Sequence, residues 1–188
     1  MRRANPSGFA LLLKKASLVG AFFVGVIWHF PVLAFCPQPD NPQWVAVRQV
    51  VDGDTLRLVD GRSVRLIGIN APEIGRKGRT SEPYAEAARR RLQALVKAND
   101  DRVGLVPGVE GKDKYGRTLA HIYSRNGDNL EAQLLSEGLG YRVAIAPNVR
   151  FSGCQQLAEQ VARQAGVGLW RRSPVVAASD VRQSGFAA

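Results

Sequence analysis

The chain is poor in the side chains on which several enzyme chemistries depend. It carries two cysteines and two histidines in 188 residues, and Asp and Glu are outnumbered 16 to 26 by Lys and Arg. His29 lies in an apolar N-terminal stretch. His121 sits in an alternating, strand-like segment without a metal-ligand partner at a plausible spacing, so it reads as a packing or surface residue. No Cys-x-x-Cys, His-Glu-x-x-His, Gly-x-Ser-x-Gly or glycine-rich phosphate loop is present. The redox, zinc-peptidase, serine-hydrolase and phosphate-cradling readings that rest on those patterns are therefore excluded. No internal repeat is visible. The shortage of acids leaves a formal charge of +10. Such a surface favours phosphate-rich partners, either nucleic acid or an anionic membrane.

Residues 1–34 contain no acid at all, but carry Arg2, Arg3, Lys14 and Lys15 ahead of an apolar run from Ala16 to Phe35. With Pro31 near its end and Val32-Leu33-Ala34 offering small or compact cleavage subsites, this stretch reads as an export signal cut after Ala34. The rival reading is an uncleaved N-terminal anchor, since about 20 apolar residues just span a bilayer. Both place the rest of the chain outside the cytoplasm, periplasmic or secreted. Removing the four leader cations leaves the remainder at +6, still basic. Cys36 and Cys154 both follow the leader, and an even pair in an oxidising compartment predicts one disulfide. Residues 35–43 form a Pro/Asn-rich lead-in, 44–170 the folded domain, and 171–188 a loose tail of small and polar residues.

The most informative stretch is DGDTLRLVDGRSVRLIGINAPE, from Asp52 to Glu73. Asp60-Gly61 between two alternating runs predicts a hairpin with a two-residue type I′ turn. That turn pairs Val59 with Arg62, Leu56 with Arg65 and Asp54 with Ile67, which puts Asp54 and Arg65 on the face of Leu56, Leu58 and Ile67. A carboxylate and a guanidinium at the edge of an apolar face call for a partner or a task. Asn70 has the wrong parity for that face and lies where the strand ends, because Pro72 removes a ladder donor. Glu73 follows on the turn.

Around this hairpin, Trp44 to Val51 reads as a first strand and Ile74 to Pro83 as a loop carrying Arg76, Lys77 and Arg79. Tyr84 to Ala98 has apolar residues at helical spacing, Ala88, Leu92, Leu95 and Val96. Strands are expected over Arg102 to Val109 and Thr118 to Ser124, separated by the charged turn Glu110 to Arg117. Asn129 to Glu137 predicts a short helix capped by Asn129 or Asp128, with Gly138 behind it. Gly140 to Ile145 is expected to be a last strand. Cys154 to Ala165 is expected to be a third helix with Leu157 and Val161 inward, and Leu169-Trp170 to pack back on the body. The sum is an α+β, mainly β chain: a small barrel with helices attached.

The motifs VDGDT, VRLIGINAPE, DKYGRTLAHIY and the EGLG-to-PN segment resemble the thermonuclease (staphylococcal nuclease) family in order and approximate spacing, over Trp44 to Trp170. The resemblance implies a five-stranded OB-fold barrel with three helices. It also implies a Ca²⁺-dependent phosphodiesterase acting on DNA and RNA, single-stranded or locally open, and leaving 3′-phosphate ends. By resemblance Asp54 is a direct calcium ligand with Asp52 just behind it, Asn70 stands where the family usually has a second aspartate, and Ala71 contributes its carbonyl. Glu73 matches the carboxylate that orients or deprotonates water, and Arg65 and Arg117 the guanidiniums that hold the phosphate. Lys114, Tyr115, Arg76, Lys77 and Tyr141 are candidates for substrate contact. The chemistry agrees: calcium takes oxygen ligands, and Arg grips a phosphate with a planar fork. A monomer without a stable protein partner is expected, with membrane contact only if the leader is retained. Two departures stand out: the neutral Asn70, and the segment Tyr141 to Pro147, which lacks the family's two base-packing tyrosines. The competing functions are a nucleic-acid-binding module of this fold without turnover, and a basic scaffold on anionic lipid.

Overall fold

The computed structural model describes residues 36–76 and 78–171; the leader, Phe35, Lys77 and residues 172–188 of the expected tail lie outside the described residues. Five strands close a barrel. β1 (Gln43–Val50) runs antiparallel to β2 (Thr55–Leu58), and β2 to β3 (Ser63–Leu66). A two-residue β4 (Ile69–Asn70) leaves the barrel, and α1 (Ala85–Lys97) follows. β5 (Arg102–Lys112) pairs with β1 and with β6 (Thr118–Tyr123), and β6 lies parallel to β3, completing the ring β1-β2-β3-β6-β5. Then come α2 (Leu130–Ser136), β7 (Tyr141–Arg142), α3 (Ser152–Ala165) and a 3₁₀ turn over Gly168–Trp170. β7 pairs only with β4, as a separate ribbon. This is the five-stranded barrel with three helices that the resemblance implies.

The barrel closes because its strands alternate cleanly. Leu56 and Leu58, Val64 and Leu66, Val103 and Leu105, Ala120 and Ile122 all turn inward and are buried, while Arg57 stays outside. α1 covers this core with Ala88, Leu92, Leu95 and Val96, as its spacing predicts. The Asn129 side chain caps α2 by accepting from the Ala132 N–H at 2.8 Å. Gly138 follows α2 at φ +69°, the left-handed position expected of it. Arg91 on α1 grips the Glu137 carboxylate at the end of α2 with a two-pronged ion pair.

Four expectations are corrected. The hairpin turn is one residue longer than a type I′ turn: Gly61 donates to the Leu58 carbonyl and stands at φ +92°, and Leu58 donates to Arg62. This three-residue loop sets Leu56 opposite Val64 and Thr55 opposite Arg65, so Arg65 lies on the outer face and not beside Leu56. The final strand is shorter than Gly140 to Ile145, covering Tyr141–Arg142 alone. On α3, Leu157 and Val161 point outward, 57% and 42% exposed, while Gln155, Ala158, Glu159 and Ala162 face the body. The two alanines let α3 approach closely, and the two polar side chains meet backbone groups that an apolar face would leave unsatisfied. β5 also extends three residues beyond Val109, shrinking the charged turn to Asp113–Arg117.

Cys36 and Cys154 form a disulfide, with Cα atoms 5.2 Å apart and 118 residues of sequence separation. It ties the lead-in to the first turn of α3. The chain-entropy model assigns a loop this long an upper value of about 4–5 kcal/mol. A Cys36→Ser/Cys154→Ser protein is therefore expected to unfold at distinctly lower urea concentration than the oxidised parent. Equal midpoints would show that the crosslink adds nothing to stability.

Candidate active site

The site starts from the bend Asp52-Gly53-Asp54, which joins β1 to β2. A Cβ on Gly53 would stand 2.6 Å from the Cβ atoms of both Ala71 and Ala88, so only glycine lets the bend press against α1. Asp52 Oδ1 accepts from the Asp54 N–H at 3.1 Å. Asp54 is buried; its Oδ2 accepts from the Ala71 N–H at 2.8 Å and meets Arg65 Nη2 at 3.1 Å, and its Oδ1 accepts from the Thr55 hydroxyl. Burial pushes the Asp54 carboxyl up to about 6; the Arg65 charge opposes this and the Asp52 charge adds to it.

Arg65 is held at both ends. Its Nη1 donates to the carbonyls of Leu66 (2.6 Å) and Ile69 (2.8 Å), and Nη2 donates to Asn70 Oδ1 (3.1 Å). The bend that presents those carbonyls is stapled by α3. Gln155 Nε2 donates to the Ile67 carbonyl at 3.1 Å, and Glu159 Oε1 accepts from the Arg142 N–H of β7 at 2.8 Å. Gly68 stands at φ +85°, where a Cβ would fall 2.0 Å from Gln155 Oε1. Neither Gln155 nor Glu159 was expected from the sequence. Their signal was present as two polar residues at i, i+4 on a helix otherwise lined with alanine, a spacing that puts both on one face.

An open cavity of about 560 Å³ lies outside the barrel against β2, β3 and the loop after β4. Asp52, Asp54, Glu73 and Arg117 line it together, with Arg76 from the loop. Glu82, a residue the motifs do not include, lines it too. Glu82 Oε2 accepts from the Glu73 N–H at 2.8 Å and the Glu82 N–H donates to the Glu73 carbonyl at 3.0 Å, closing the base of the 73–82 loop. Glu73 is thus fixed by its backbone, with its side chain exposed.

Arg117 pairs with Asp113 through Nε–H to Oδ2 at 2.6 Å. Burial pushes the Asp113 carboxyl up, but the hydrogen bonds it accepts from the Arg117 side chain and from the Arg117 and Tyr115 N–H groups outweigh this and hold it below its ordinary value. Arg117 also lines a second cavity of about 460 Å³ with Arg65, Lys114 and Tyr115. Tyr115 is 72% exposed, with Lys114 Nζ 5.1 Å and the Arg117 guanidinium carbon 5.5 Å from its ring centre. Val143 and Ile145 line the same cavity, where no tyrosine of the 141–147 segment stands.

Three predicted residues stand apart, of which Ala71 is buried and lines neither cavity. Tyr141 lies outside both cavities, opposite Asn70 in the β4–β7 ribbon and edge-on to Trp170 at 5.4 Å. Asn70 turns its amide oxygen to Arg65 and not into the cavity. His121 is buried against Phe151, their rings 4.8 Å apart, as a packing residue should be. Among the described residues no three Asp, Glu, His or Cys groups stand together as a metal cage. The carboxylate oxygens of Asp52 and Asp54, which both line the cavity, suit a hard divalent cation completed by neutral oxygens and water.

A family model described as Staphylococcal nuclease homologue matches residues 63–172. The chain is 34% identical over 130 residues to the thermonuclease of Staphylococcus intermedius, covering 67% of this chain and 75% of that protein. It is 32% identical over 137 residues to endonuclease YncB of Bacillus subtilis (strain 168), covering 70% of this chain and 64% of that protein. An uncharacterized endonuclease of Haemophilus influenzae is 28% identical over 158 residues, covering 82% and 80%.

The raised Asp54 carboxyl has a thermodynamic consequence with a definite sign. The folded state holds the proton up to about 6, whereas the unfolded chain releases it near the ordinary 3.8. Between those values folding takes up a proton, so stability from this group is full below about 4 and falls as pH rises through about 6. Full ionisation costs on the order of 3 kcal/mol. In chelator, the stability of the wild type relative to Asp54→Asn should therefore decline over that window. Urea titrations at stepped pH read it; a flat or rising difference contradicts the assignment.

Proposed function

The chain belongs to the staphylococcal nuclease family, and we propose that it is a calcium-dependent nuclease hydrolysing phosphodiester bonds of DNA and RNA. The observation that carries this reading is the single cavity in which Glu73, the Asp52–Asp54 pair and Arg117 meet, with Arg65 locked against Asp54. A water placed at the Glu73 carboxylate gives up a proton to it as its oxygen bonds to phosphorus, and the P–O bond to the 5′ oxygen breaks. That oxygen takes a proton, leaving a 3′-phosphate and a 5′-hydroxyl. Arg65 and Arg117 meet the charge that gathers on the phosphate oxygens in the transition state.

Asp54, with Asp52 behind it, would hold the calcium, which would supply positive charge beside the phosphate. Asn70 and Ala71, the other positions the resemblance implies, line neither cavity here, so the Asn70 amide oxygen would have to leave Arg65 to reach the ion. Two carboxylates, Asp52 and Asp54, stand at the bend against the one guanidinium of Arg65, a balance that would favour a cation beside them. Lys114 and Tyr115 beside the second cavity offer a charge and a ring to the flanking nucleotide. The disulfide and the acid-free leader support an exported enzyme, acting as a monomer without a protein partner.

Two measurements test this reading. Glu73→Gln keeps the shape and removes the base, so kcat on single-stranded DNA should fall on the order of 10²–10⁴-fold. Arg65→Ala and Arg117→Ala should also lower kcat, and chelator should stop release of acid-soluble nucleotides. Unchanged kcat in a folded Glu73→Gln protein refutes the role; binding without turnover in the wild type would leave only a nucleic-acid-binding module. Calorimetry of Asn70→Asp tests the calcium site separately. A carboxylate there adds a unit of attraction, partly offset by repulsion from Asp54 and Asp52. Calcium should therefore bind the variant more tightly, and equal or weaker affinity would place Asn70 away from the ion.

A further inference from the structure

The cavity that holds Glu73 and Asp54 does not end at them. It continues along the outer face of the hairpin to Arg57 and Ser63, which also line it. These two residues are direct partners across β2 and β3, so their side chains leave the sheet on the same face, side by side. Arg57 stands three residues beyond Asp54, about 10 Å of strand. Arg57 is exposed and Ser63 half-buried.

Of the other arginines that line this cavity, Arg117 pairs with Asp113, while Arg76 and Arg79 stand on the loop after β4 and not on the sheet. Among the described residues, Arg57 has no ion pair or side-chain hydrogen bond and the Ser63 hydroxyl has no partner. Yet Asp52, Asp54, Glu73 and Glu82 line the same cavity. A guanidinium fork and a hydroxyl, adjacent and both unengaged, form a donor set shaped for one tetrahedral oxyanion.

We infer that Arg57 and Ser63 form a subsite for a second phosphodiester of the same polynucleotide strand. The inference rests on the nuclease reading and extends it. Arg117 lines both cavities and so marks the boundary between them. A strand whose reacting phosphate lies at Arg117 and Glu73 would send one flank toward Tyr115 and the other along β2 toward Arg57. The substrate class this selects is a polynucleotide extending on both sides of the cleaved bond, rather than a terminal nucleotide.

The test uses the whole protein in chelator, where nothing is cleaved, and a fluorescein-labelled single-stranded oligothymidylate of about twelve nucleotides. Fluorescence anisotropy across a salt series counts phosphate contacts, since each one lost flattens the slope of log K against log salt by about 0.7. Arg57→Gln/Ser63→Ala should bind more weakly with the slope flattened by about that amount. Arg57→Lys should keep the slope, because a charge remains. With calcium added, the kcat/KM advantage of the twelve-mer over a dinucleotide should shrink several-fold in the double variant. A double variant with the parental slope and length preference, and an intact circular dichroism spectrum, overturns the subsite and leaves the nuclease reading standing. A parent protein that neither binds nor cleaves the oligonucleotide overturns both.

Discussion

The contact on which the site depends is the pairing of Asp54 with Arg65 at the barrel's rim, Oδ2 to Nη2 at 3.1 Å. Neither partner could be buried alone, since an unpaired charge out of water costs several kcal/mol. Together they draw three pieces of chain to one point. Asp54 brings in the start of β2 and, through the Ala71 N–H, the end of β4; Arg65 brings in β3 and the Leu66–Asn70 bend. Burial raises the Asp54 carboxyl to about 6 against the pull of its guanidinium, and the Asp52 charge adds to the rise. The same arrangement therefore fixes the backbone of the bend at the edge of the cavity.

Such a bend needs support from outside the barrel, and α3 supplies it in an unusual way. Helices normally present apolar residues inward, but α3 presents Gln155 and Glu159 between two alanines. What they meet is not an apolar surface but the Ile67 carbonyl and the Arg142 N–H, backbone groups of the bend and of β7. Their hydrogen bonds are the ones that a longer ladder would otherwise provide. The disulfide at Cys154, one residue before Gln155, anchors the first turn of this helix. Fold stability and site geometry thus pass through the same helical turn.

This division explains what was legible in the sequence. Carboxylates and arginines clustered in short motifs could be read directly, and the structure brings Asp52, Asp54, Glu73, Arg117 and Arg76 to one cavity. The barrel and its helices followed from alternation and spacing. The hairpin register did not, because Asp60-Gly61 suits both a two-residue turn and the longer one observed. Matching Leu56 with Val64 would have decided it, since a one-residue slip moves every side chain to the other face. The inward face of α3 was misread for a related reason: periodicity ranks Leu157 and Val161 above glutamine, but cannot see that the opposing surface is made of backbone donors and acceptors. Glu82 was missed because it reaches the site only through the closure of a loop whose ends are nine residues apart.

Arg117 shows how the resting site can be both stable and ready. Its guanidinium is satisfied by Asp113, four residues earlier on the same tight turn, and it walls both cavities. A guanidinium left bare at a cavity mouth would attract any anion and gain little rigidity. One tied to a buried carboxylate would be too costly to release. Asp113 keeps 16% of its side-chain surface and Arg117 33%, against 7% for Asp54, so this pair lies nearer to water than the Asp54–Arg65 pair. Under the proposed nuclease function, an incoming phosphate would exchange one anionic partner of Arg117 for another. Arg65 cannot make that exchange, because three backbone and side-chain acceptors besides Asp54 hold it. The two arginines therefore differ in kind: Arg65 is a fixed point of the fold, and Arg117 is tied to one side-chain partner at the edge of both cavities.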